Sequence, residues 1–262
     1  MRKHYVLGFI VLGFVCFGMQ AKPVHAAISV IAYTPVASST DTTNATTTAI
    51  NTTGASLLIV GVCGSSPQPP TITDSQNNTW YAAPTFPQSV GQLAGIYYAY
   101  NPSTSPSQTF HVVQAGLYPS IQAIALSGTV TTSAVFDVGS GTSTQANASS
   151  VKPGSITPAQ AGEFFYTNGC FGSASVTTSS IDSGFTDMGI ALENGNSVGQ
   201  SDGYLLDSGS SAENPTWTFN SGNNWLYTGM AAFKPAVVIS NPPPTEYWFS
   251  GIIHLIGTFI FH

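Results

Sequence analysis

The chain has 262 residues, 42% of them hydrophobic and only 6% charged, and its five basic and eleven acidic side chains give a formal net charge of -6. So few cations exclude a nucleic-acid partner, because neutralising phosphates takes clustered Lys and Arg. The apolar content is enough for a buried core, which excludes a disordered chain, and the surface must be covered by uncharged polar residues instead of ions.

Residues 1–26 read as a secretory signal peptide. Arg2 and Lys3 form a basic start, residues 5–19 an apolar core, and Val24-His25-Ala26 a small-residue cleavage site before Ala27. The apolar core, roughly 15 residues, is short for a spanning helix. Cleavage would leave Lys152 and Lys234 as the only cations of the mature chain. Its net charge would then be about -9. A secreted or cell-surface location follows as the expectation.

Beyond the signal, short β-like runs alternate with turn clusters about every dozen residues, the pattern of a sandwich or barrel. The runs fall at 28–33, 57–63, 79–82, 93–100, 109–113, 121–127, 134–138, 163–171, 185–192, 203–206, 216–219 and 226–233. Thr216, Trp217, Thr218 and Phe219 alternate, placing both aromatics on one face, whereas residues 57–62 are apolar throughout and suggest a strand covered on both sides. Turn chemistry is expected at Glu193-Asn194-Gly195-Asn196 and at Ser221-Gly222-Asn223-Asn224. The polar stretches 38–53 and 139–150 read as long surface loops or solvated edge strands.

Cys63 and Cys170 each end a strand-like run, and they are the two cysteines left after signal removal. Were those strands neighbours, a disulfide would close a loop of about 107 residues and contribute around 4–5 kcal/mol; two buried free thiols are the alternative. Each cysteine-ended run precedes an aspartate turn and then aromatic strands. Residues 27–235 therefore read as one sandwich of two related halves, with two separate domains of about 100 residues each as the alternative.

Four segments in order carry a family resemblance: Asp74-Ser75-Gln76-Asn77-Asn78-Thr79-Trp80, Ile96-Tyr97-Tyr98-Ala99-Tyr100-Asn101, Ile124-Ala125-Leu126-Ser127-Gly128 and Met230-Ala231-Ala232-Phe233-Lys234-Pro235. Together they resemble a widespread, uncharacterised module of bacterial secreted and surface proteins with the pattern D-S-x-G-N-T-Y, I-Y-Y-A-x-N, Y-S-G and A-x-F-x-P. Asn77 stands where that pattern has glycine, and asparagine also tolerates left-handed backbone. The resemblance implies an extracellular β-sandwich and no established catalysis.

Catalytic chemistry is sparse. His111 is the only histidine between residues 27 and 235, in a run where it alternates with Phe110 and Val112, and no Gly-x-Ser-x-Gly elbow occurs. One histidine and two distant cysteines fall short of a zinc site. Carboxylate pairs for glycoside hydrolysis can be drawn from Glu163, Asp182, Asp187, Glu193, Asp202, Asp207 and Glu213, but no spacing singles one out. Asp74, Asn77 and Asn78 put three oxygen-bearing side chains in one turn, which calcium would accept; an Asx-type turn bonding its own backbone explains the same residues. Otherwise no cofactor is expected. For sugar stacking, Trp80, Tyr98 and above all Trp225, beside the Asn223-Asn224 turn, are the candidate platforms.

Residues 236–246 hold the triple proline Pro242-Pro243-Pro244 and read as a stiff linker. Residues 247–262 are nearly all apolar. As a helix they would reach about 24 Å against a hydrocarbon core of roughly 30 Å, so shallow insertion or docking on a partner is expected through Trp248, Phe249, Ile252, Ile253, Ile256 and Phe259. Strands around Gly257 are the alternative. The whole is an all-β, two-sheet antiparallel β-sandwich of jelly-roll or immunoglobulin-like type with an apolar C-terminal segment. The function expected is a non-catalytic secreted or cell-surface module for adhesion, glycan contact or assembly with a surface protein. A structural surface-layer or appendage subunit and a carbohydrate-active enzyme are the rivals.

Overall fold

A computed structural model of the protein describes residues 24–34, 43–64, 69–85, 93–113, 118–173, 175–192, 198–206 and 209–238. The chain divides into two units, residues 1–24 with 238–262 and His25–Val237. The second unit carries the fold, and β1 (Val24–His25) and β16 (Val237–Val238) mark its ends. Most of the expected signal peptide, the triple proline and all six expected attachment residues lie outside the described residues.

In chain order the strands of the first half are β2 (Ser29–Tyr33), β3 (Asn44–Thr46), β4 (Leu57–Gly64), β5 (Thr71–Asp74), β6 (Tyr81–Ala82), β7 (Leu93–Tyr100), β8 (Phe110–Val113) and β9 (Ser120–Ser127). A 3-10 turn, Ser133–Val135, leads into the second half: β10 (Phe136–Val151), β11 (Phe164–Phe171), β12 (Ser179–Ile181), β13 (Thr186–Leu192), β14 (Gly199–Leu206) and β15 (Trp217–Phe233). The fold is an all-β sandwich of antiparallel sheets, and the described residues contain no α-helix.

The two halves repeat one plan. The first builds a five-stranded sheet in the order β2-β9-β4-β7-β6, and the second builds β10-β15-β11-β14-β13. In both, the cysteine-ended strand (β4 or β11) stands third. The first half adds a separate sheet, β3-β8-β5; in the second, the far end of β10, the start of β15 and β12 form the same three-strand arrangement while staying continuous with the main sheet.

Strand β4 shows why these residues fold this way. All eight of its residues are buried, because each face meets a different sheet. Leu57 and Ile59 join Ile124, Leu126, Phe164, Tyr166 and Phe233 between the two five-stranded sheets. Leu58, Val60 and Val62 turn the other way onto Ile72, Phe110 and Val112 of the three-stranded sheet. Each such side chain contributes about 1.5–3 kcal/mol on burial, so a continuous apolar run is what a central layer requires. In the second half, Trp217 and Phe219 are buried and Thr218 is exposed, matching their alternation; the Trp217 indole donates to Thr167 Oγ1 at 3.2 Å.

One expectation holds in only one of its two forms, and one fails. Of the two readings of residues 139–150, the edge strand holds: they pair with β15 along the outer edge of the sheet, from Phe136↔Phe233 to Val151↔Trp217 with three register shifts. The turn expected at Ser221-Gly222-Asn223-Asn224, by contrast, is absorbed into a continuous 17-residue β15. Polar, glycine-rich sequence has low strand propensity, but here each strand supplies the other's hydrogen-bond partners and the bulges take up the misfit. Strands β3, β5 and β12, with three or four residues each, were too short to read.

Candidate functional site

Asp74 closes β5 and organises the turn that follows. Its Oδ1 accepts from Gln76 N (2.7 Å), Asn78 Nδ2 (3.1 Å) and Gln108 Nε2 (3.0 Å), and its Oδ2 from Asn78 N (3.3 Å) and the Trp80 indole (2.8 Å). Asn77 adopts φ 56°, the left-handed geometry expected at this position, and Asn78 Oδ1 accepts Ser103 N at 2.7 Å. The three calcium candidates are therefore together, but the Asp74 and Asn78 oxygens face N–H donors, the arrangement of an Asx-type hub. Asp74→Ala would strip five donors of one acceptor and should cost about 2–3 kcal/mol in a chemical denaturation curve; an unchanged midpoint would mean that water replaces the carboxylate fully.

This hub frames a hollow of about 310 Å3 lined by Asn77, Asn78, Thr79, Tyr81, Tyr100 and Asn101, with Ala99 and Ser103 at its margin. Tyr81 is 40% exposed and stacks on Tyr100 with centroids 5.1 Å apart and planes 17° apart. The Tyr100 hydroxyl donates to that of Tyr81 at 3.3 Å, and this bond raises the Tyr100 pKa. Asn101, also left-handed at φ 47°, is exposed where β7 ends. An aromatic pair beside amide side chains can stack on an apolar face and hydrogen-bond hydroxyls around it.

The three aromatic platforms expected from sequence are placed elsewhere. Trp80 is half-buried, tied to Asp74 and packed edge-on against Phe110 at 6.0 Å. Tyr98 is 8% exposed, stacks on Phe136 and meets Phe233 edge-on, so it is core. Trp225 is half-buried rather than an exposed turn platform, because β15 runs through the expected turn. Its indole lies against Gly172, where a Cβ would come within 2.2 Å, and it packs beside Tyr227 and the cluster holding Cys63 and Cys170. Those cysteines are joined as a disulfide with Cα atoms 5.7 Å apart, so β4 and β11 are tied across the two main sheets. The Tyr81–Tyr100 pair depends on β6 pairing with β7, which no spacing in the sequence announces.

Between those sheets lies a buried polar layer. Asp202 accepts from the Tyr166 hydroxyl and from Gln200 Nε2, Gln200 also donates to Gly61 O and accepts from Ser120, and Gln122 accepts from Asp202 N. A Cβ at residue 61 would stand 2.3 Å from Asp202 Oδ2, so glycine there is what admits the carboxyl. Burial pushes Asp202 up to about 8 and Tyr166 well above its ordinary value. Asp202 has no solvent exposure.

Asp182 and Asp187 are each held by hydrogen bonds. Asp182 is exposed and accepts Thr216 N, while Asp187 takes Ser179, Ser201 and Gly189 N. His111 is half-exposed, its Nδ1 3.4 Å from Thr73 Oγ1. Glu193 and Asp207 lie outside the described residues. Among those described, no group of three or more His, Cys, Asp or Glu could hold a metal, and no helix is long and apolar enough to cross a membrane.

The four segments of the family-like pattern map to the β5–β6 turn, β7 with its exit, the end of β9 and the end of β15. Comparison with known proteins finds no matching family model, curated protein or solved structure.

Proposed function

We propose that the protein is a non-catalytic, exported β-sandwich module that contacts glycans through the Tyr81–Tyr100 hollow. The observation that carries this reading is the stacked, partly exposed tyrosine pair bordered by Asn77 and Asn101. Export is supported by the signal-like N-terminus and by the disulfide, which persists in oxidising compartments. The resemblance to bacterial surface modules points the same way. Attachment to a membrane or surface partner is assigned to residues 247–262, and calcium has no role in this scheme. Cell fractionation of the full-length chain and of a form ending at Asn241 tests that assignment; release of the truncated form into the soluble fraction is the expected result.

Nuclear magnetic resonance titration of the protein with a panel of neutral and acidic oligosaccharides should move the signals of Tyr81, Tyr100 and Asn101. Tyr81→Ala should weaken any such binding by about tenfold, the loss of one stacking contact worth about 1–1.5 kcal/mol. Binding that is indifferent to Tyr81→Ala, or silence across the panel, would remove the hollow as a glycan site. A structural surface-layer or appendage subunit is the second reading, favoured by the disulfide joining the two main sheets; silence across the panel would favour it.

A further inference from the structure

A lysine and two carboxyl groups meet where β10, β15 and β11 run side by side. Phe233 stands opposite Phe136 on one side and Phe164 on the other. Lys234 after β15 and Glu163 before β11 lie one residue beyond that row, while Asp137 follows Phe136 at the register shift of β10. Lys234 Nζ is 2.7 Å from Asp137 Oδ1, with side chains 28% and 10% exposed. The backbone around them is pinned: Lys234 N donates to Val135 O at 2.8 Å, Val130 N donates to Lys234 O at 3.0 Å, and Asp137 Oδ2 accepts Ala159 N at 2.8 Å.

Glu163 is the unusual member. It is 1% exposed, and its carboxyl oxygens lie against Asp137 and the Gln160 backbone without a hydrogen bond of full geometry. Leaving a buried carboxyl group unsatisfied is costly, and a stability role alone would be served better by an apolar residue. Burial first, and then the Asp137 charge, raise Glu163 to about 7, so at neutral pH it can both give and take a proton. A nucleophile, an acyl carbon and a proton carrier are thus held together on rigid strands, the condition for a large effective concentration.

We propose that Lys234 and Asp137 become joined by an intramolecular isopeptide bond, with Glu163 carrying the protons. The ammonium of Lys234 gives one proton, by way of Glu163, to the Asp137 carboxylate, leaving a neutral amine beside a carboxylic acid. The Nζ lone pair attacks Asp137 Cγ, and a C–N bond forms. Glu163 takes the next nitrogen proton and returns it to the departing hydroxyl as the C–O bond breaks. Ammonium and carboxylate become an amide and one water, with no oxidant, reductant or second substrate. Because Lys234 and Asp137 stand at opposite ends of the second half in sequence, the bond closes that half into a covalent loop, separate from the Cys63–Cys170 bridge.

Intact mass spectrometry of the purified, disulfide-bonded chain tests this. The expected mass is one water, about 18 Da, below that of the sequence with its disulfide, and proteolysis should yield a branched peptide containing both Asp137 and Lys234. Lys234→Arg and Glu163→Gln should each restore the full mass and lose the branched peptide. A wild-type mass equal to the sequence after prolonged incubation at neutral pH overturns the bond. A deficit that survives Lys234→Arg assigns the lost water elsewhere and also overturns it. A deficit that survives Glu163→Gln removes Glu163 from the reaction. The wild-type measurement needs no variant to fold.

Discussion

The melting temperature should fall as pH is raised from about 5 to about 8, the reverse of ordinary acid denaturation. Asp202 titrates near 8 in the folded chain against an ordinary value of 3.8, so between those limits the native state holds a proton that the unfolded state has released. Stability then declines with rising pH, by about 1.4 kcal/mol per unit, and the loss is complete once pH passes the folded value. Glu163, raised from 4.5 to about 7, acts in the same direction over a narrower window. Asp182 is lowered, chiefly by the Thr216 backbone N–H; its contribution is present above the ordinary range and disappears only under strong acid. Three pH units at Asp202 alone amount to about 4 kcal/mol, or roughly 10 °C in a domain of this size. Calorimetry across the range checks the slope, and Asp202→Asn, which cannot ionise, should flatten most of it. A melting temperature that rises from pH 5 to pH 8 would show that Asp202 is charged in the native state.

The second large effect is expected from the disulfide. Cys63 and Cys170 are 107 residues apart, and each sits in a fully buried strand at the centre of its own sheet. Opening a loop of that length frees unfolded-state entropy worth about 4–5 kcal/mol. The Cys63→Ala, Cys170→Ala double variant should therefore melt roughly 10–15 °C lower at constant pH. Trp225 and Tyr227 cover the bridge, so reduction of the native protein should need partial unfolding. Thiol labelling of the unreduced, denatured wild type should find no free group at either cysteine; labelling at both positions would refute the bridge.

Strand periodicity was readable where it governs burial. Most strands of both halves were legible because an apolar run must lie between layers, and the relation between the halves was legible in the order of cysteine, aspartate turn and aromatic strand. Asn77 disclosed its left-handed turn for a local reason, the tolerance of its short side chain. The sequence leaves residues 139–150 open between loop and edge strand, and marks 221–224 as a turn, because their strand character is not local: it comes from pairing with each other's strands.

Side-chain chemistry was less legible than backbone pattern. Trp225 looked exposed beside asparagines, yet a glycine just past the end of β11 gives it a seat. Tyr81 and Tyr100 are 19 positions apart and meet only because β6 docks on β7. Lys234, Asp137 and Glu163 are ordinary residues in the sequence, scattered over almost 100 positions. Composition, the signal-like start and strand periodicity are properties of single segments, and the sequence by itself determined them; that Cys63 meets Cys170 had to wait for the fold. Which carboxylates lose water, which tyrosines share a hollow and which lysine faces an acid were decided only by the tertiary structure, since desolvation and proximity arise when strands distant in sequence are laid side by side.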